Sequence, residues 1–302
     1  MRQPTFLILG AAKCGTTALA SFIASHPDVF ITNPKEPHFF DSNYEIGING
    51  YLEKYYSGWS KEIVAGEATP SYLSIPYVAE RIKQSFPDIK LIATLRNPIE
   101  RAYSSWWMFH ARGMEKLSFE NAISSELEKS INIDSAGSIY TEEIARQNTA
   151  RIKAGKEICF REYLFAGQYA DHLERYYENF PKHNIKVILS SQLRKNHTQT
   201  IREIWDFIGV DTSHPAPDSN AVNEALGIKA VPILKSIKAL GLMPARHIIP
   251  NDIRSYIKNL LSNMGERPEI SIETKQLLLE YFTPHIKKLE TLINEDLSDW
   301  LK

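Results

Sequence analysis

Short runs of consecutive apolar residues alternate with segments of helical spacing along much of this chain. Phe6-Leu7-Ile8-Leu9 ends at Gly10, and apolar positions at Leu19, Phe22 and Ile23 follow soon after Thr16. That pattern predicts a buried strand, a tight loop and a helix. Ile63-Val64-Ala65 precedes a predicted helix near Tyr77–Ser85. Lys90-Leu91-Ile92-Ala93-Thr94-Leu95 runs into a helix opened by Asn97-Pro98, where the proline suits the first helical turn. A further strand, Ile185 to Leu189, follows a helical stretch from about Tyr169 to Asn179 and precedes another at about Thr198–Ile208. Strands alternating with helices predict an α/β fold, a mostly parallel central sheet flanked by helices on both faces.

Two regions break the rhythm. From about 111 to 158 the sequence is polar and helical, punctuated by Gly113, Gly137 and Gly155, and carries no strand pattern. It reads as a helical insertion over one end of the sheet, and its place after the helix opened by Pro98 makes it a candidate flap. From about 213 onward, Pro215, Pro217, Pro232, Pro244, Pro250 and Pro268 separate short helical pieces before a final helix at about Ser271–Ile293. This predicts a C-terminal wrapping segment, about 213–302. With no repeat and no separating linker, residues 1–302 read as a single domain.

Composition narrows the class. The 302 residues are 43% hydrophobic and 24% charged, the range of an ordinary globular chain. Lys plus Arg total 35 and Asp plus Glu 36, a formal charge of −1. A surface that binds duplex nucleic acid shows a basic excess, so nucleic acid is not expected as a partner. Any anion must be met by a few placed cations. Two cysteines, Cys14 and Cys159, predict reduced thiols in a cytoplasmic protein rather than a disulfide framework. No Cys and His cluster has metal-ligand spacing, and the apolar run at the start is too short to span a membrane.

The candidate chemistry begins in the first loop, Gly10-Ala11-Ala12-Lys13-Cys14-Gly15-Thr16-Thr17. A loop between strand and helix presents backbone N–H groups at a helix N-terminus, which favours phosphate. The glycine spacing matches a nucleotide-binding P-loop. A Walker loop places Lys directly after the second glycine, and here Thr16 stands there with the lysine at position 13. The strand ending at Leu95 is followed by Arg96, where an ATPase would often put a magnesium-binding acid. Ligands bind at that edge of an open α/β sheet. Ser104, eight residues further on, falls within about a quarter turn of Arg96 at roughly 100° per residue. A guanidinium and a hydroxyl there suit a second phosphate. Two anion sites without a metal-binding acid suggest a nucleotide phosphorylated at both ends.

Four ordered motifs carry a resemblance. They are Ala11-Ala12-Lys13-Cys14-Gly15-Thr16-Thr17-Ala18-Leu19, Lys35-Glu36-Pro37-His38-Phe39-Phe40, Glu67-Ala68-Thr69-Pro70-Ser71-Tyr72, and Leu95-Arg96-Asn97-Pro98-Ile99-Glu100-Arg101-Ala102-Tyr103-Ser104. Together they resemble the sulfotransferases that use 3′-phosphoadenosine 5′-phosphosulfate, in particular the heparan sulfate O-sulfotransferases and their bacterial relatives, which include domains of polyketide and olefin pathways. Weaker similarity follows through Gly167-Gln168-Tyr169 with His172-Leu173, and through Arg267-Pro268 with the last helix. The resemblance implies that Lys13 and the loop at Cys14, Gly15, Thr16 and Thr17 hold the 5′-phosphosulfate. It implies that Arg96 and Ser104 hold the 3′-phosphate, that Arg267 closes over the nucleotide, and that no metal is required. Glu36 falls at the catalytic base. One position departs: the heparan-type enzymes usually carry a Lys where Ala68 stands, and that lysine helps arrange a charged sugar site.

Sulfuryl transfer needs a base for the acceptor hydroxyl and a cation for the leaving phosphate. Glu36 suits the first, with partial burial expected to raise its pKa, and Lys13 the second. If residues 36 to 40 are extended, residues 36, 38 and 40 share a face, so His38 is a second candidate base. Trp106, Trp107 and Phe109 are expected as core or pocket wall, and Tyr44, Tyr51, Tyr55 and Tyr56 as core or as the lining of an acceptor cleft. The acceptor implied is a carbohydrate hydroxyl or a 3-hydroxyacyl chain on a carrier protein. An acyl carrier protein would be acidic, and Arg151, Lys153 and Lys156 are where it would dock. The alternatives are a P-loop small-molecule kinase and a non-catalytic nucleotide-binding protein.

Overall fold

The computed structural model describes residues 2–131, 142–158, 161–217 and 267–302. Five parallel strands form its sheet: β1 (Phe6–Gly10), β2 (Val29–Ile31), β3 (Val64–Ala68), β4 (Lys90–Leu95) and β5 (Ile185–Leu189). They lie in the order β2-β3-β1-β4-β5. β1 pairs with β3 through Leu7 and Glu67, and with β4 through Leu7 and Leu91. The chain leaves β1 toward one side of the sheet and returns to build the other. The crevice beyond the carboxyl ends of β1 and β4 is therefore the topological switch point.

Both faces of the sheet are covered, which is why its strands read as unbroken apolar runs. Successive side chains point to opposite faces. Phe6 and Ile8 pack with Leu19 and Ile23 of α1 (Thr16–Ile23), and with Ile204, Trp205 and Ile208 of α10 (His197–Ile208). Leu7 and Leu9 face a larger core on the other side. It is built from α3 (Gly47–Tyr56), α4 (Val78–Ser85), α5 (Pro98–Ala111), α8 (Tyr169–Asn179) and the final helix, α11 (Ile272–Ile293). Local chemistry sets the helix ends. Asn97 caps α5, its side-chain oxygen accepting from the N–H of Ile99 at 2.9 Å, with Pro98 as first helical residue. Ser271 caps α11 by accepting from the N–H of Thr274 at 3.1 Å.

The predicted strands at β1, β3, β4 and β5 are present, and the helices near Tyr77, Asn97, Tyr169, Thr198 and Ser271 form with ends displaced by a residue or so. β2 was not predicted, being a three-residue edge strand between Pro27 and the Asn33-Pro34 turn. The insertion contains α6 (Phe119–Ile131) and α7 (Glu142–Lys153), and α7 packs on the short helix α2 (Phe39–Ser42). Most of the predicted wrapping segment, and Cys159, lie outside the described residues.

Residues 36–40 do not form the extended segment that would put 36, 38 and 40 on one face. His38 takes a left-handed backbone, φ 54°, and α2 begins at Phe39. The turn keeps Glu36 and His38 together and drives Phe39 and Phe40 fully into the core. Tyr51, Tyr55 and Tyr56 are also core, and Tyr44 lies beneath the Arg81 guanidinium at 4.4 Å. None of these four tyrosines is a wall of the cleft, so the acceptor-lining alternative fails for them. An amphipathic helix whose apolar face carries tyrosines looks the same in sequence whether that face meets a core or a ligand.

Candidate active site

The loop after β1 is shaped by two glycines. A side-chain carbon at Gly10 would stand 2.5 Å from the carbonyl oxygen of Pro70, so the loop and the segment after β3 can touch only there. Gly15, at φ 91°, opens α1, and no side chain caps that end. The first N–H groups of a helix have no intrahelical partner, so here they are left for a ligand.

Two clamps hold this loop. The Thr94 hydroxyl of β4 donates to the Cys14 carbonyl oxygen at 3.1 Å. The buried Tyr169 hydroxyl lies 3.5 Å from Cys14 Sγ and donates to the carbonyl oxygen of Arg96 at 3.0 Å. Tyr169 thus joins the loop after β1 to the end of β4. The neighbouring motif residues serve as scaffold. Gln168 donates to Tyr281 Oη on α11 at 2.7 Å, and the buried His172 lies 2.8 Å from the Phe165 carbonyl oxygen and 2.9 Å from Arg175 Nη2. Burial and the charge of Arg175 push the His172 pKa down to about 3, so its ring is neutral.

Cations converge on Lys13. Its backbone is left-handed, φ 71°, and its ammonium lies 3.4 Å from Met108 Sδ. Burial, and then the charges of Arg112, Arg267, Arg96 and Arg101, push its pKa below the usual lysine value. Arg267 stacks 4.2 Å over the Tyr103 ring, and Tyr103 donates its hydroxyl to the Pro268 carbonyl oxygen, which ties the segment before α11 to α5. Arg96 bonds Glu100 through Nε at 2.6 Å. Ser104 lies on α5 in the wall of the cleft beside Lys13, Gly15, Thr16 and Thr17. Arg112 and Lys153 stand in the same wall. Neither belongs to a motif, and a basic residue at a helix end is ordinary in sequence.

Glu36, also in this wall, sits in a chain of charges. Lys35 Nζ lies 2.8 Å from Glu36 Oε1 and donates to Thr17 Oγ1 at 3.2 Å, so it bridges the loop and the carboxylate. His38 Nε2 is 3.6 Å from Glu36 Oε2, and its Nδ1 is 2.9 Å from Oδ2 of the buried Asp41, which also accepts from Ser71 Oγ at 2.6 Å. Burial raises the Glu36 pKa, but the His38 and Lys35 contacts outweigh it and hold the carboxyl down at about 2. The expected raised pKa is therefore reversed, because two cations flank the group. Burial lowers the His38 pKa, while Asp41 and Glu36 together carry it up to about 10.

The cleft has two lobes. The larger, about 600 Å³, lies over the loop and the cationic wall. The smaller, about 150 Å³, runs under α7 toward Asp41, Leu73 and Ile158. Lys13, His38 and Ser71 stand where they meet. Phe109 is a wall of both lobes, whereas Trp106 is buried in the core with its indole N–H donating to the Leu117 carbonyl oxygen at 3.0 Å. Among the described residues, no group of three or more His, Cys, Asp or Glu side chains is placed to hold a metal ion. No helix among them is long and apolar enough to cross a membrane.

Comparison with known proteins identifies the family. Residues 3–225 match the family model of the sulfotransferase domain. The chain belongs to the sulfotransferase family. Bifunctional heparan sulfate N-deacetylase/N-sulfotransferase 3 of Homo sapiens is 29% identical over 222 residues, 69% of this sulfotransferase and 22% of the human protein. Heparan sulfate glucosamine 3-O-sulfotransferase 3B1 of Mus musculus is 30% identical over 207 residues, 68% of this chain and 46% of the mouse protein. The chain thus spans from about a fifth to about half the length of these curated relatives. A sulfotransferase of Alicyclobacillus acidocaldarius, known from its crystal structure, superposes with a TM-score of 0.68 at 25% identity, over 100% of both chains. The α/β architecture predicted from the sequence is the fold of that neighbour.

Proposed function

We propose that this chain transfers a sulfuryl group from 3′-phosphoadenosine 5′-phosphosulfate to an acceptor hydroxyl, with Glu36 as general base. The observation that carries the reading is the crowding of Lys13 by Arg112, Arg267, Arg96 and Arg101 in a chain whose net charge is only −1. The charges of these four arginines raise the energy of protonated Lys13 in the free site, and a ligand with phosphate at both ends relieves that repulsion. Lys13 and the N–H groups of Gly15, Thr16 and Thr17 would take the 5′-phosphosulfate, with Cys14 fixing the loop from beneath. Arg96 and Ser104 would take the 3′-phosphate, and Arg267 would close over the nucleotide.

The assignment of the base follows from the charge states. At neutral pH Glu36 is ionised and accepts a proton, while His38 already holds one. His38 is then a positioning residue, held by Asp41. As the acceptor oxygen bonds to sulfur, the bond from sulfur to the bridging oxygen breaks. The acceptor proton passes to Glu36, and Lys13 neutralises charge on the departing 5′-phosphate. Lys35 reaches both Glu36 and Thr17, so an anion on the loop draws it away from the carboxylate and raises the pKa of the base.

Calorimetry separates this reading from a kinase and from a non-catalytic nucleotide-binding protein. 3′,5′-Adenosine bisphosphate, the reaction product, is expected to bind without added metal and ATP with magnesium poorly. Glu36→Gln should keep bisphosphate binding and lose nearly all turnover. Tight ATP–magnesium binding with weak bisphosphate binding would favour the kinase. Full turnover in Glu36→Gln together with a comparable loss in His38→Ala would transfer the base role to His38. The acceptor classes are a carbohydrate hydroxyl and a hydroxyacyl chain on a carrier. The buried free thiol of Cys14 fits a reducing, cytoplasmic setting.

A further inference from the structure

We infer that the acceptor is an uncharged alcohol whose carbon chain, about six non-hydrogen atoms long, fills the smaller lobe of the cleft. This rests on the sulfuryl-transfer reading and names the substrate for it.

The walls of that lobe carry the argument. Leu73, Met108, Phe109, Ile152, Ile158 and Ala166 line it, so most of what a ligand touches there is hydrocarbon. Its volume, about 150 Å³, is that of a cavity that takes up a benzene-sized apolar molecule. Beyond the junction residues Lys13 and His38, the lobe adds one cation among the described residues, Arg101, whose Nη2 donates to the carbonyl oxygens of Glu162 and Tyr163 at 3.1 and 2.6 Å and whose buried Nε has no partner among them. It also adds the carboxylates of Glu162 and of Asp41, the latter 1% exposed, with no hydrogen-bond partner for its Oδ1 among the described residues. A sulfated or carboxylated sugar would bring further anions beside these two carboxylates. An alcohol places its hydroxyl at the junction, near Lys13, His38 and Ser71, and its chain inward. Buried methylene groups are worth ~0.8 kcal/mol each, about fourfold in affinity per carbon.

The test uses the whole chain with donor and the series ethanol, butan-1-ol, hexan-1-ol and decan-1-ol, beside an unsulfated heparan-type oligosaccharide. kcat/KM is expected to rise by about fourfold per methylene and to level off near hexan-1-ol. Calorimetry on the chain saturated with 3′,5′-adenosine bisphosphate should show hexan-1-ol binding and no oligosaccharide binding. Ile158→Trp, which fills the lobe, should flatten the series and leave bisphosphate affinity within about twofold. If that variant does not fold, Ile158→Ala should move the plateau to a longer alcohol. A flat series, or preference for the oligosaccharide, in a chain that still binds bisphosphate would overturn the acceptor class alone. Loss of bisphosphate binding in the unaltered chain would remove the sulfuryl-transfer reading beneath it.

Discussion

The Tyr169 hydroxyl donates to the main-chain oxygen of Arg96 at 3.0 Å and lies 3.5 Å from the buried thiol of Cys14. One phenol therefore fixes the distance between the loop after β1 and the end of β4, the two places where the proposed nucleotide would be held at its two phosphates. Tyr169→Phe keeps the ring in its packing and removes the link. A buried carbonyl left without its donor costs about 1–3 kcal/mol. The variant should unfold at lower denaturant by that amount, and it should bind 3′,5′-adenosine bisphosphate several-fold more weakly by calorimetry. Unchanged affinity beside lowered stability would reduce Tyr169 to a packing residue.

The charge chain of Glu36, His38 and Asp41 predicts a pH signature. His38 has its pKa raised to about 10, so the stability it contributes is whole below its ordinary value of 6.5 and is lost as pH rises through 10. Glu36 is held at about 2, so its contribution is present above 4.5 and is lost as pH falls through 2. His38→Asn suits the left-handed backbone and removes the imidazolium. Urea unfolding should show that this substitution costs more at pH 6 than at pH 10, and a constant difference would sink the assignment. In activity, the unaltered chain, whose base is held at about 2, should show no acid limb down to about pH 3. His38→Asn should bring one in near the ordinary carboxylate range, about 4–5.

How far the sequence reveals the site depends on what holds each residue in place. Lys13, Gly15, Arg96 and Ser104 could be placed from the sequence because a strand end and a helix start fix them, and those boundaries are written in local patterns at Leu9-Gly10 and Asn97-Pro98. Arg112, Lys153 and Tyr169 reach the site, or its scaffold, through tertiary packing. Nothing in their neighbours' spacing announces that, although Tyr169 did stand in a motif. The condition under which residues 36, 38 and 40 would share a face, an extended segment, fails because the turn at His38 is made by a non-glycine residue with positive φ, which Asp41 and Glu36 support from both sides. Long-range contacts then fix the turn, the N–H groups of Phe39 and Phe40 donating to Tyr72 Oη at 2.9 and 3.3 Å and Ser71 to Asp41 at 2.6 Å, and a linear pattern does not record them.

Lys13 offers a contrast between stability and binding. In the free chain its ammonium is partly desolvated and is repelled by the charges of four arginines, so its own charge opposes folding. Lys13→Met removes that charge and keeps an unbranched side chain near Met108. The free variant should melt at the same temperature as the unaltered chain or a few degrees higher, while its affinity for 3′,5′-adenosine bisphosphate falls at least about tenfold, the ~1.4 kcal/mol or more of a charge-assisted contact. Raising salt should weaken bisphosphate binding more steeply in the unaltered chain than in the variant. A variant that loses stability and keeps its affinity would contradict the proposed role.

Glu67, at the end of β3, tests whether a buried carboxyl beside the site is structural. It is fully buried and accepts from the hydroxyls of Tyr51 at 2.8 Å, Tyr72 at 2.9 Å and Thr69 at 2.5 Å. Burial drives its pKa up to about 7, outweighing the three donors. A raised carboxyl favours the fold while protonated, so its contribution is present below about 4.5 and is lost as pH rises through 7. Glu67→Gln keeps an oxygen for both tyrosines and carries no charge. Measured by urea unfolding, its stability relative to the unaltered chain should climb between pH 5 and pH 8 by about 1–3 kcal/mol, at 1.36 kcal/mol per pKa unit. Glu67→Ala instead leaves three buried hydroxyls without their acceptor and should cost at least about 3 kcal/mol at either pH. Because none of these atoms lines the cleft, bisphosphate affinity of the glutamine variant should stay within about twofold of the unaltered chain. A large loss of affinity with stability intact would place Glu67 in the site.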